Sequence, residues 1–179
     1  DEEGNELPPF EEGYVTLKVR PLRPHGLMIE YWRNPQAMVK AFRGDWYFTG
    51  DKAYRDKEGY FWFIGRDKEI IKTFGRSMAP LEVERILLEH PAVMEAAVIG
   101  IPDEKLGEII KAFVHLRPNT SPSEKLSREI LEHVGRSLEP QKCPRELEFL
   151  SELPKTTTGK IKRSDLKNRE IEKRRDAGH

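Results

Sequence analysis

One lysine in this sequence stands where a charge can be put to use. Lys160 follows Gly159 in the polar run Pro154-Lys155-Thr156-Thr157-Thr158-Gly159-Lys160, with Ile161-Lys162-Arg163 behind it. A glycine-flanked loop can carry an ammonium group into a cleft and withdraw it. A compact cation is worth most where negative charge builds on a carboxylate or phosphate in a transition state. Taken alone, the same residues also describe a solvated lysine in a basic tail. A second group lies upstream. Asp51, after Thr49-Gly50, can take two charge-assisted hydrogen bonds from a vicinal diol, or it can simply close a turn. Arg66 ends the segment Tyr60–Gly65 and offers a fork of donors for a sugar or phosphate. The alternative is a surface pair with Asp67 or Glu69. Lys72, Phe74, Gly75 and Arg76 follow closely. There Gly75 either lets a narrow chain pass near the backbone or takes positive φ in a hairpin, and the two readings are compatible.

The elements that must hold these residues can be read from periodicity. Val15, Leu17 and Val19 alternate and predict a strand over 14–20, and Leu27 to Trp32 predict another. Asn34-Pro35 is a cap followed by an N1 proline, so a short helix is expected through Phe42. Strands at 46–49 and 60–65 flank an Asp56–Gly59 turn, which puts Asp51 at a strand end. The texture then changes. A strand is expected at 69–73 and a helix at 80–89, with Val83, Ile86 and Leu87 on one face. Apolar strands follow at 96–101 and 109–116. Ser121 with Glu124 has capping-box spacing for a helix to about Leu138. Leu147, Phe149 and Leu150 mark a last strand, and Ser164 is read as the cap of a charged helix with surface ion pairs among Glu170, Lys173 and Arg174. The fold class is therefore α+β: a small mixed α/β domain at 67–179, preceded by a strand-rich piece at 1–66.

Composition sets outer bounds. Lys+Arg and Asp+Glu balance at 31 each across 179 residues, so no global field favours nucleic acid or an anionic membrane. The single cysteine, Cys143, allows no internal disulfide and fits a reducing compartment. No apolar run approaches the length of a membrane span. The five histidines, His25, His90, His115, His133 and His179, show no metal-ligand spacing. The chain opens on Asp1-Glu2-Glu3-Gly4 without a methionine and is expected to be a piece of a longer protein.

The motifs occur in a fixed order. Phe48-Thr49-Gly50-Asp51, Asp56-Lys57-Glu58-Gly59-Tyr60, Gly65-Arg66-Asp67-Lys68-Glu69-Ile70-Ile71-Lys72 with Gly75, and Pro80-Leu81-Glu82-Val83-Glu84 are closed by Pro154-Lys155-Thr156 and Gly159-Lys160. From about Gly26 to Lys167 this resembles the C-terminal portion of the adenylate-forming acyl-CoA synthetases. Arg43-Gly44-Asp45-Trp46 and Lys142-Cys143-Pro144-Arg145 look most like the medium-chain or aromatic-acid branch.

The resemblance implies an ATP-dependent ligation of coenzyme A to a carboxylic acid through acyl-AMP. Lys160 would be the adenylation lysine, Asp51 and Arg66 nucleotide contacts, and Lys68 the hinge. Lys72, Phe74, Gly75, Arg76 and Arg145 would form the coenzyme A side. Ser77 departs from a family arginine and Cys143 from an aromatic residue; Leu106 takes a place that can be basic, with Lys105 beside it. Residues 1–66 would end a large AMP-binding domain whose upstream part, the expected partner, holds the phosphate loop, the Mg²⁺ site and the acid pocket. The chain alone is then expected to be inactive. The setting would be cytoplasmic, or the mitochondrial matrix if eukaryotic. A carrier-protein-loading adenylation domain and a non-enzymatic binding module are the alternatives.

Overall fold

A computed structural model describes residues 1–177, and His179 lies outside the described residues. The chain forms two compact units, Asp1–Lys68 and Glu69–His179.

The first unit is a four-stranded antiparallel sheet built around β3 (Trp46–Arg55). One edge of β3 pairs with β1 (Gly13–Lys18), and the other with β2 (Phe42–Arg43) and then β4 (Phe61–Arg66). The helix α1 (Pro35–Ala41) starts as its sequence predicts, with Asn34 accepting a hydrogen bond from the Ala37 N–H. Two expectations fail here. Residues Leu27 to Trp32 form no strand, because Arg23 donates to the carbonyls of Met28 and Ile29 that a neighbouring strand would need. And β3 does not stop at Thr49. The chain passes Gly50 at φ +81° through a bulge opposite β1, where Tyr14 faces Lys52 and Thr16 faces Phe48. Asp51 therefore sits within β3 rather than at a strand end. Trp32, Phe61, Trp62 and Phe63 are all exposed on this unit.

The second unit is organised by the long hairpin of β7 (Val93–Asp103) and β8 (Gly107–Leu116). On the far edge of β8 lie β5 (Ile71–Thr73), extended by β6 (Arg76–Met78), and β9 (Glu146–Phe149), which runs parallel to it. Strand alternation sends Ala96, Val98, Ile110, Ala112 and Val114 to one face. There they pack with Val83 and Leu87 of α2 (Pro80–Glu89) and Ile130 and Val134 of α3 (Glu124–Ser137). The opposite residues Ala97, Ile99, Ile101, Ile109 and Phe113 meet Leu153 and Leu166, the latter on α4 (Arg163–Ala177). The sheet thus has helices on both faces, and the second face anchors the two feet of the Lys160 loop.

Two helix starts shift from expectation. Ser123, not Ser121, caps α3 by accepting from the Leu126 N–H. α4 begins at Arg163, so Ser164 lies in its first turn instead of capping it.

Burial also corrects the reading of Glu170 as a surface residue: it is 3% exposed. Lys111, between Ile109 and Phe113 on β8, is the cause. It places its ammonium 2.8 Å from Glu170 and 2.9 Å from Glu148, and Arg169, Lys173 and Arg174 close the network from α4. Burial alone disfavours each of these charges, but the partners outweigh it. The Lys111 pKa is pushed up, and the Glu148 and Glu170 carboxyls are held below the usual range. α4, where Leu166 is the one buried apolar side chain among the described residues, is thus docked largely by ions.

Candidate functional site

The segment carrying Lys160 is a tight hairpin rather than a loose loop. Lys155 and Ile161 form a β-bridge; the Thr156 N–H donates to the Lys160 carbonyl at 2.7 Å, and the Lys162 N–H to the Pro154 carbonyl at 2.8 Å. Within the turn, the Gly159 N–H donates to the Thr156 carbonyl and the Lys160 N–H to the Thr156 hydroxyl. Gly159 has φ +81°, which any other residue type would adopt at a cost. The entering foot of the hairpin is pinned twice. Leu153 is buried, and Lys155 donates to Glu95 at 2.6 Å, which pulls the Glu95 carboxyl below its usual pKa. Lys160 itself is exposed at the tip. A charge on a rigid, solvated finger suits a group that must enter and leave a cleft.

In the first unit, Asp51 and Arg66 are cross-strand partners on β3 and β4. Arg66 Nε lies 2.8 Å from Asp51 Oδ1, but off the hydrogen-bonding direction. The buried Oδ1 thus has an ionic neighbour and no hydrogen bond. An acceptor in that condition is costly unless something supplies a donor. Arg66 does not pair with Asp67, a surface partner its sequence neighbourhood offers; Asp67 is taken by Lys52 at 3.3 Å.

Lys68 is exposed within a short 3-10 turn, Asp67–Glu69, at the junction of the units. Beyond it, Phe74 and Gly75 form the two-residue turn of the β5–β6 hairpin, with φ +51° and +71°. A Cβ at Gly75 would meet no atom within 4 Å, so backbone conformation rather than crowding calls for glycine. Arg145 lies just before β9, and its guanidinium stacks 5.5 Å from the Phe74 ring. The two meet because the Phe74 N–H is tied to the Leu106 carbonyl and the Arg145 N–H to the Ile110 carbonyl, both in the β7–β8 hairpin. Arg76 is held 3.7 Å from Glu139, and Lys72 is exposed. Leu106 turns into the core around Phe113 while Lys105 stays exposed. Burial pushes the Cys143 thiol pKa up, away from the thiolate a nucleophile needs.

Sequence reasoning missed Arg163, Glu84 and Lys111. Glu84 is 4% exposed within α2 and binds both Arg163 and the Val98 N–H. A glutamate on the apolar side of a helix was the available signal. Among the described residues, no cluster of three or more His, Cys, Asp or Glu could hold a metal ion, and no helix is long and apolar enough to cross a membrane.

The comparisons agree with one another. Residues 82–160 match the AMP-binding enzyme C-terminal domain. Over 173 residues the chain is 48% identical to mouse acyl-coenzyme A synthetase ACSM1, mitochondrial, covering 96% of this chain and 30% of that protein. It is also 48% identical over 176 residues to 4-hydroxybutyrate–CoA ligase 1 of Metallosphaera sedula, covering 98% and 31%. Among solved structures it is similar to the anthranilate CoA ligase AuaEII in complex with anthranoyl-AMP (42% identity, TM-score 0.79, 94% of this chain and 32% of that one). A benzoate CoA ligase from Burkholderia xenovorans is similar at 37% identity and TM-score 0.75, over 93% and 32%. The chain therefore spans about 30% of the length of the curated relatives it matches. Residues 82–160 thus belong to the AMP-binding enzyme C-terminal domain family, and the chain as a whole is similar to the C-terminal portion of adenylate-forming acyl-CoA synthetases.

Proposed function

We propose that this chain is the C-terminal part of an AMP-forming acid–CoA ligase. The observation that carries the reading is the ordered hairpin that presents Lys160 at an exposed tip. In the first half-reaction a carboxylate attacks the α-phosphate of ATP and pyrophosphate departs, giving acyl-AMP. Lys160 would bridge the carboxylate and phosphoryl oxygens, where charge accumulates. Asp51 Oδ1, buried and lacking a donor, would take one from a ribose hydroxyl, with Arg66 beside it for ribose or phosphate. In the second half-reaction the Glu69–Ala177 unit rotates about Lys68. Lys160 withdraws, and the face bearing Lys72, Phe74, Gly75, Arg76 and Arg145 comes forward. The stacked Phe74–Arg145 pair supplies a flat cationic surface suited to coenzyme A, whose thiol then displaces AMP from the acyl group.

Relatives about three times as long support an upstream domain holding the phosphate loop and the acid pocket. The exposed aromatics of β4, and a cavity of about 580 Å³ among Leu7, Tyr14, Val15, Trp46, Tyr54 and Phe61, are surfaces such a domain would cover. Mg²⁺, which would neutralise phosphate charge when bound, is assigned with the phosphate loop to the upstream part. The names of the relatives favour coenzyme A over a carrier protein as acceptor. Several of those relatives are mitochondrial, which supports the mitochondrial matrix if this protein is eukaryotic and the cytoplasm otherwise.

The test uses the full-length enzyme. Lys160→Ala is expected to lower acyl-AMP formation by roughly 10²–10³-fold while leaving thioester formation from supplied acyl-AMP nearly intact. Equal loss in both half-reactions would overturn the assignment.

A further inference from the structure

Arg163 uses its whole guanidinium. Nε and Nη2 donate to the two oxygens of Glu84 at 2.9 and 2.7 Å, while Nη1 donates to Glu69 at 2.9 Å. The Arg163 side chain is only 21% exposed and that of Glu84 5%. Glu84 Oε1 also accepts from the Val98 N–H at 2.8 Å, so the fork is bolted to both α2 and β7. A buried pair of this kind is weak evidence for stability, since apolar residues of similar volume often do as well. What a planar five-donor fork adds is fixed geometry.

The position of this clamp gives it meaning. Glu69 is the first residue of the second unit, directly after Lys68. Arg163 comes three residues after Lys160, and the last hydrogen bond of the hairpin, from the Lys162 N–H to the Pro154 carbonyl, ends one residue before it. Leu153 and Leu166 hold the two feet from the sheet side. One side chain thus joins two points 94 residues apart in sequence: the stretch leaving the hinge and the foot of the lysine hairpin.

We propose that Arg163 is a positioning residue for adenylation, locking the hinge exit at Glu69 to the foot of the Lys160 hairpin so that both move as one body. The proposal rests on the adenylation role given to Lys160 above. Without the clamp the hairpin still closes, because its hydrogen bonds are local, but its angle to the hinge exit is no longer set. Misplacing a reacting group by about 1 Å can cost roughly 10²-fold in rate. The β5–β6 turn is placed by β8, so the thioester step should not depend on this clamp.

Two variants of the full-length enzyme test it. Arg163→Lys keeps the charge but loses the fork; Glu69→Gln weakens the hinge arm and leaves the Glu84 pair whole. Arg163→Lys should lower kcat for acyl-AMP formation by about ten- to a hundredfold, with KM for ATP and thioester formation from supplied acyl-AMP unchanged. Glu69→Gln should do the same to a smaller degree. On a Lys160→Ala background, Arg163→Lys should cost nothing more, because it acts through that lysine. Should Arg163→Lys fail to fold, Glu69→Gln decides by the same readouts. Equal loss in both half-reactions, or an additive loss on the Lys160→Ala background, would overturn the proposal. A selective Lys160→Ala defect beside an unimpaired Arg163→Lys would overturn it alone. Normal adenylation in Lys160→Ala would overturn the functional reading and this proposal with it.

Discussion

Lys111 and Glu170 meet beneath α4 at 2.8 Å, with side chains only 5% and 4% exposed, across 59 residues of sequence. Removing one partner strands the other in a poorly solvated site. Lys111→Met should therefore destabilise α4 docking by about 3–5 kcal/mol, and Lys111→Met with Glu170→Leu should recover most of that. Hydrogen exchange of the α4 amides measures it; strictly additive single and double variants would show that the pair is not coupled.

The same network predicts a pH window. Glu148 and Glu170 have pKa values below the unfolded value of about 4.3, so the unfolded chain binds protons more readily. Their support is full above that pH and lost as pH falls through the lower folded values. Lys111 is raised instead, so its support is present below about 10.4 and lost as pH rises through its folded value. α4 protection should be flat between these limits and collapse first in acid. Loss of protection near pH 6–7, the range of an ordinary histidine, would contradict this origin.

Asp51→Asn should raise KM for ATP by roughly ten- to a hundredfold, the worth of a charge-assisted hydrogen bond. With 2′-deoxy-ATP the penalty should shrink, since one hydroxyl partner is already gone. An equal penalty for both nucleotides would place Asp51 away from the ribose.

Lys68→Pro fixes φ at the proposed pivot. Acyl-AMP formation should survive and thioester formation should fall strongly, as measured by single-turnover rates for each step. A variant active in both steps would remove the hinge from Lys68.

Local features were legible in the sequence, and those set by distant partners were not. Asn34-Pro35 and Pro80 marked their helices because caps and prolines act within one turn, and the apolar runs at 96–101 and 109–116 marked β7 and β8 because a short continuous apolar run is itself a local signal of a strand buried on both faces. Gly50 looked like a strand stop. Its positive φ instead belongs to a bulge that only the opposing β1 reveals. Leu27 to Trp32 had strand composition, but Arg23 takes the carbonyls. The Lys160 motif could be located, whereas its stiffness could not. That stiffness comes from Glu95 on β7 and from Glu84 and Glu69, each more than fifty residues upstream.

Phe74 occupies a turn position that a bulky L-residue enters only at a cost, and the residue is 42% exposed, so burial does not explain its presence. Phe74→Asn, which tolerates the left-handed region, should stabilise the β5–β6 hairpin by about 0.5–1 kcal/mol while weakening coenzyme A saturation. Thermal melts paired with KM for coenzyme A would show whether the two move in opposite directions. If they do, this turn bears a local conflict between foldability and use, and its stability half can be read from a melting curve with no substrate in the tube.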